Sequence, residues 1–207
     1  MYDMENEFKE ITASLVEVLV TEDLTSLAIN AADSLSGLPV FSTLSSLRKA
    51  GLSIRDRLFE KKLINFLLDI KEISANDRQE FIAELDNPQY VQRAGETLLI
   101  LIDRFDHLKK PRLLANLVKA KISAQIGMDD FLRLSNVIDK TNFNDLMKLH
   151  EYQTEKIFSG CATEILFSTG LLIETTVDLN SRKNNRYILS ELGQNIYQHG
   201  IAIGNEH

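Results

Sequence analysis

This sequence predicts a mainly α-helical fold: a helical region over residues 1–140, then a smaller unit over residues 141–207 that contains a β-hairpin. Three observations carry the prediction. Proline and glycine are scarce, at three and nine in 207 residues, so few points force a helix to stop. Apolar residues recur mainly at three- and four-residue spacing, the period of one helix face. In the last third only, two short extended runs flank a polar loop.

The first helix is expected over residues 5–20, where Phe8, Ile11, Leu15 and Val18 form one apolar stripe. A second, short one begins near Thr25. Residues 33–47 are rich in serine and hold Gly37 and Pro39, which break helix and suggest a connector. Leu44, Leu47, Gly51, Ile54 and Leu58, continued by Leu63, Phe66, Leu67 and Ile70, predict a long helix that ends near Lys71. Asn76, with Gln79 three residues on, reads as an N-cap with its reciprocal partner and opens a helix through Leu85. Asn87 caps and Pro88 begins the next one, which runs through Leu98, Leu99, Leu101, Ile102 and Phe105 with a fully buried interior. Pro111 starts a helix that contains Leu113, Leu114, Leu117 and Val118 and ends near Gly127. Phe131, Leu132, Leu134 and Ile138 mark another.

The last third changes character. Asn144 is expected to cap a helix through Tyr152, and a further helix over 160–169 is stopped by Gly170 in the left-handed conformation. Residues 171–177 and 186–189 form a hairpin around the loop 178–185. Ser190 then caps a final helix that stops at Gly200.

Composition excludes several classes. One cysteine, Cys161, allows no intramolecular disulfide, which fits a reducing compartment. Asp3, Glu5, Glu7 and Glu10 against Lys9 do not resemble a secretory leader. The strongest apolar run, 98–102, is far shorter than the ~20 residues that a membrane-spanning helix needs. The expectation is a soluble, cytoplasmic protein. Its net charge of −7 is uneven: residues 1–47 hold eight acids and one base, residues 48–140 hold 17 bases and 14 acids, and residues 141–207 hold five bases and eight acids.

The basic stretch Arg48, Lys49, Arg55, Arg57, Lys61 and Lys62 has the charge to meet an anion, a partner or an anionic lipid surface. Its ordinary role is as solvated helix faces beside an acidic arm. The arm's apolar stripe is expected to dock on the helical region of its own chain or of an identical one. The competing idea is that residues 38–62 touch a membrane surface.

Two resemblances add to this reading. Gly170-Leu171-Leu172-Ile173, a polar loop and Tyr187-Ile188-Leu189-Ser190-Glu191-Leu192-Gly193 resemble the end of a winged helix domain, over roughly the last third of the chain. The resemblance implies a hairpin wing between two helices, the second with a glycine early in it, and either a DNA reader or a protein-interaction module. A broader one runs from Leu38-Pro39-Val40 through Ile54-Arg55-Asp56-Arg57-Leu58 and Glu96-Thr97-Leu98-Leu99 to Phe131-Leu132-Arg133-Leu134. In motif order and helical texture it is similar to small bacterial proteins of unknown function and, more distantly, to the Abi-alpha family of phage abortive infection. That implies a bacterial defence setting without a mechanism.

Catalytic and metal chemistry find little footing. No motif brings a histidine to Cys161 as a base, so a buried, inert thiol is expected. Asp103, Asp106 and His107 share one helical face by spacing, but three ligands from one helix read better as a polar face with helix-end contacts, His107 meeting the C-terminal dipole. Asp139-Lys140-Thr141-Asn142-Phe143 starts like a calcium loop and then lacks its glycine and terminal glutamate. The glycines are scattered singly, so no phosphate-cradling loop occurs. No cofactor and no catalytic residue is expected.

For DNA, the helix over 160–169 holds Glu164 and no lysine or arginine, and Arg182, Lys183 and Arg186 in the wing are the basic cluster there. The sequence therefore points to a non-enzymatic interaction protein, in self-association or with a protein partner. A winged-helix DNA-binding regulator is the alternative.

Overall fold

The computed structural model describes residues 54–71, 73–85, 94–157, 160–176 and 184–202. The expected helix over 5–20, the helix from Thr25, the connector 33–47, the Asn87–Pro88 helix start and loop residues 178–183 lie outside them.

Helix α1, Ile54–Ile70, buries Leu63, Phe66, Leu67 and Ile70, the 3 and 4 spacing that the sequence shows. Helix α2, Ala75–Leu85, is capped two residues earlier than the sequence suggests. The Ser74 hydroxyl accepts from the Asp77 amide at 3.1 Å and donates to the Asp77 carboxylate at 2.6 Å. Ser74 is thus the N-cap, answered by Asp77 side chain to side chain, and it leaves Asn76 in the first turn, donating to Glu80 at 2.9 Å. Helix α3, Ala94–Arg104, buries Leu98, Leu101 and Ile102, but its interior is not wholly covered, because Ile100 is 42% exposed.

Helix α4, Lys110–Ile122, has Pro111 in its first turn and is the central helix, with Leu113, Leu114, Leu117 and Val118 all buried. It ends five residues before Gly127. Gln125 N donates to Ala120 O at 2.9 Å and Ala124 N to Lys121 O at 3.0 Å, while Ala124 takes a φ of 55°. These are the two bonds of a Schellman stop, here with alanine in the left-handed position. Gly127 instead precedes helix α5, Met128–Lys140. Phe81 of α2 meets Phe131 of α5 edge-on at 5.3 Å.

Helix α6, Phe143–Met147, is capped by Asn142, whose side chain accepts from Asn144 N at 2.9 Å, so the cap lies two residues before the expected Asn144. A 3₁₀ turn, Lys148–Gln153, extends it. Strand β1, Lys156–Ile157, follows, and two residues are too short for a sequence pattern to reveal. Helix α7, Cys161–Ser168, stops at Gly170 with φ 77°. Strands β2, Leu172–Thr176, and β3, Arg186–Leu189, form the expected hairpin.

The three strands make one antiparallel sheet in the order β1-β3-β2. Ser190 caps helix α8, Glu191–Ile196, by accepting from Gly193 N at 2.9 Å, and a π-helical turn, Tyr197–Ile201, completes it. The fold is thus mainly α with a small sheet.

One hydrophobic cluster runs from Leu63 to Ile201 and draws on residues from both sides of position 140. Asn116 of α4 fixes the C-terminal turn to it, donating to Gly200 O at 2.8 Å. Among the described residues no helix is long and apolar enough to cross a membrane.

Candidate ligand cleft and partner face

Asn65 and Asp69 stand four residues apart on α1, and Arg112 and Asn116 stand four apart on α4, so each pair shares a helix face. Where these helices pack, the two faces line a cleft of about 490 Å³. Leu68, Leu108, Leu113, Phe143, Met147 and Ile201 supply its apolar walls, and Lys109 joins Arg112 among its lining residues. Asn65 donates to Leu108 O at 3.2 Å, which holds the loop before α4 against α1. Burial pushes the Asp69 carboxyl above its ordinary range, and the charges of Arg112 and Lys119 work against that rise. Lys109 and Arg112 themselves are exposed. The cleft therefore presents two cations beside one half-buried carboxyl, over an apolar floor.

The residues singled out by sequence do not converge here. Arg48 and Lys49 lie outside the described residues, as do the side chains of Arg55 and Arg57 on α1. Lys62 donates to Asp103 O at 2.9 Å, tying α1 to the end of α3. Arg182 and Lys183 also lie outside. Arg186 pairs with Glu155 at 3.0 Å.

Asp103, Asp106 and His107 cannot share a helical face, because α3 stops at Arg104. They take separate partners instead. Asp106 pairs at 2.6 Å with Lys110, a fully buried lysine that also donates to Asp139 O at 3.1 Å. His107 stacks flat on Phe143 at 4.2 Å, and its Nδ1 accepts from the Lys109 amide at 3.2 Å. Cys161 is exposed rather than buried, because α7 turns Ala162 and Leu166 inward and its first residue faces solvent.

The sheet offers a second surface. Side chains alternate between its faces, and Ile173 pairs with Ile188 while Ile157 pairs with Arg186, which puts all four on the outer face. Ile157 is 54% and Ile173 51% exposed. At the rim, Thr175 donates to Glu155, which also accepts from Arg186. On α7, the exposed residues are Cys161, Glu164, Phe167 and Ser168.

Sequence reasoning passed over the cleft. Its only local signal is a pair of polar residues four positions apart on each of two amphipathic helices.

Comparison of the chain with models of known protein families, with curated proteins and with solved structures finds no match.

Proposed function

We propose that this chain is a non-enzymatic protein-interaction module that docks through the outer face of its sheet, with a second copy of itself as the occupant. One observation carries the reading: Ile157, Ile173 and Ile188 lie side by side on three hydrogen-bonded strands, the first two about half exposed. An apolar surface of this kind favours association when it is covered. Its rim holds charges of both signs, Glu155 and Arg186, so two copies related by a twofold axis present complementary groups to each other. The helix–wing–helix order, with the last strand in the centre of the sheet, also supports the winged-helix likeness, read here as an interaction module. The lack of lysine and arginine on α7 and the Glu155–Arg186 pair weigh against a DNA reader.

Sedimentation velocity over a wide concentration range tests this directly. A concentration-dependent dimer is expected, lost in the double variant Ile157→Glu, Ile173→Glu. A chain that stays monomeric throughout would overturn it. Titration with duplex DNA at about 50 and 200 mM salt tests the alternative. Tight binding that falls steeply with salt, and is abolished by changing Arg182, Lys183 and Arg186 to alanine, would establish the regulator instead. A cytoplasmic role in phage defence, which the resemblance implies, belongs to the same proposal. It would appear as reduced phage plating on cells that express the chain.

A further inference from the structure

We propose that the cleft between α1 and α4 is the docking site of the chain's own acidic segment, residues 5–20. This goes beyond the sheet-face reading and does not depend on it.

Charge is the first argument. Lys109 and Arg112 are exposed at the cleft, where Asp69 is the one carboxyl among the described lining residues. Residues 1–47 hold eight acids and one base, and Glu5, Glu7, Glu10 and Glu17 fall within the segment itself. Opposite charges steer the approach and set its direction, while the apolar contact supplies most of the affinity.

Shape is the second argument. An amphipathic helix laid in a groove presents anchors at three- and four-residue spacing, and Phe8, Ile11, Leu15 and Val18 stand at that spacing. The cleft's floor is apolar, from Leu68 and Leu113 to Phe143, Met147 and Ile201. Its volume of about 490 Å³ accepts one or two such side chains rather than a whole helix. The remaining stripe then lies across the mouth.

Reach is the third argument. The described chain begins at Ile54, and 33 residues separate it from residue 20. Extended, they span up to roughly 110 Å. The cleft's Asp69 is only about 22 Å along α1 from Ile54. Connection length therefore sets no obstacle, and the same-chain site has the advantage of high effective concentration.

Disulfide trapping in the full chain tests the proposal. Cys161→Ser removes the native thiol, Met147→Cys places a reporter in the cleft, and Phe8→Cys, Ile11→Cys or Leu15→Cys places one on the stripe. Ala13→Cys, on the opposite side of a helix with that stripe, is the control. A docked segment brings at least one stripe pair within disulfide geometry, so that pair closes within one chain at least about tenfold faster than the control. Leu68→Cys, on the α1 side of the cleft, repeats the measurement should Met147→Cys fail to fold. Reversing Arg112 to Glu is expected to slow closure, and adding Glu7→Lys and Glu10→Lys to restore it. Equal rates for stripe and control with both reporters would overturn the proposal. Cross-links that form only between two chains would overturn it too, since the occupant would then be a second copy's segment.

Discussion

On the inner face of the sheet Leu172 and Tyr187 are 2% and 4% exposed, whereas Ile173, one residue along the same strand, is 51% exposed on the outer face. The inner face is also tied by polar contacts: the Tyr187 hydroxyl donates to Glu174 at 2.9 Å, and Asn185 donates to the same carboxylate. Phe167 meets the Tyr187 ring edge-on at 5.4 Å. The outer face has isoleucines and one rim cluster. A single backbone thus separates residues that hold the fold from residues whose apolar area the fold does not use. The alternation of side chains along a strand makes that division possible.

The inner face depends most on close packing at its seam with α8. Gly193 sits in the first turn of α8, and a Cβ there would meet the carbonyl oxygen of Leu171 at 2.0 Å and its carbon at 3.0 Å. That carbonyl also accepts from Ser190 N at 3.0 Å, so it cannot move without loosening the cap. Alanine is normally favoured over glycine inside a helix by about 1 kcal/mol. Here the backbone contact decides the sign. Gly193→Ala is expected to destabilise by about 1–3 kcal/mol or more, as overpacking of a fixed backbone does. Thermal or urea denaturation checks this, and an unchanged or raised midpoint would show that α8 is not locked to the strand.

A smaller loss is expected from Tyr187→Phe. It removes the hydroxyl that donates to Glu174 and keeps the ring against Phe167. Asn185 still serves the carboxylate. A hydrogen bond to a charged group is worth about 1.5–3 kcal/mol net. Because Asn185 keeps the carboxylate partnered, the loss is expected at or below the lower end of that range. A variant as stable as the parent would move the strength of the inner face from its polar ties to its packing alone.

How much of this was legible in the sequence depended on how local each cause is. Gly170 as a helix stop and Ser190 as a cap are settled within a turn, and both stand where the pattern put them. Caps went astray where two candidates competed. Ser74 displaces Asn76 because Asp77 answers it from three residues on, and Asn142 displaces Asn144 in a chain with an asparagine at both positions. The end of α4 was hidden for a different reason, since its left-handed residue is Ala124 and the expectation looked for glycine. Ile100 escapes burial because the far side of α3 is left partly uncovered, a tertiary fact. The cleft is tertiary in the same sense. Asn65 and Asp69 acquire meaning only when α4 brings Arg112 and Asn116 opposite them.

The weakest tie belongs to the outer face, and its pH dependence has a definite sign. The Glu155 carboxylate accepts from the Thr175 hydroxyl and from Arg186 at 3.0 Å, and these bonds hold its pKa below the ordinary glutamate range. A carboxyl depressed in the folded state stabilises the fold at pH above the unfolded value, and the contribution fades as pH falls through the folded one. Glu155→Gln should therefore be slightly less stable than the parent at neutral pH, with the gap closing in acid. Because both partners are exposed, salt should narrow the gap as well. Carboxyl-carbon NMR titration of Glu155 checks the direction, and urea denaturation at neutral and acid pH, with and without added salt, checks the consequence. The inner-face variant Tyr187→Phe should show a salt-insensitive loss under the same conditions, since its hydrogen bond is partly buried. Equal salt dependence in the two variants would mean that the faces differ in exposure but not in how their polar ties are screened.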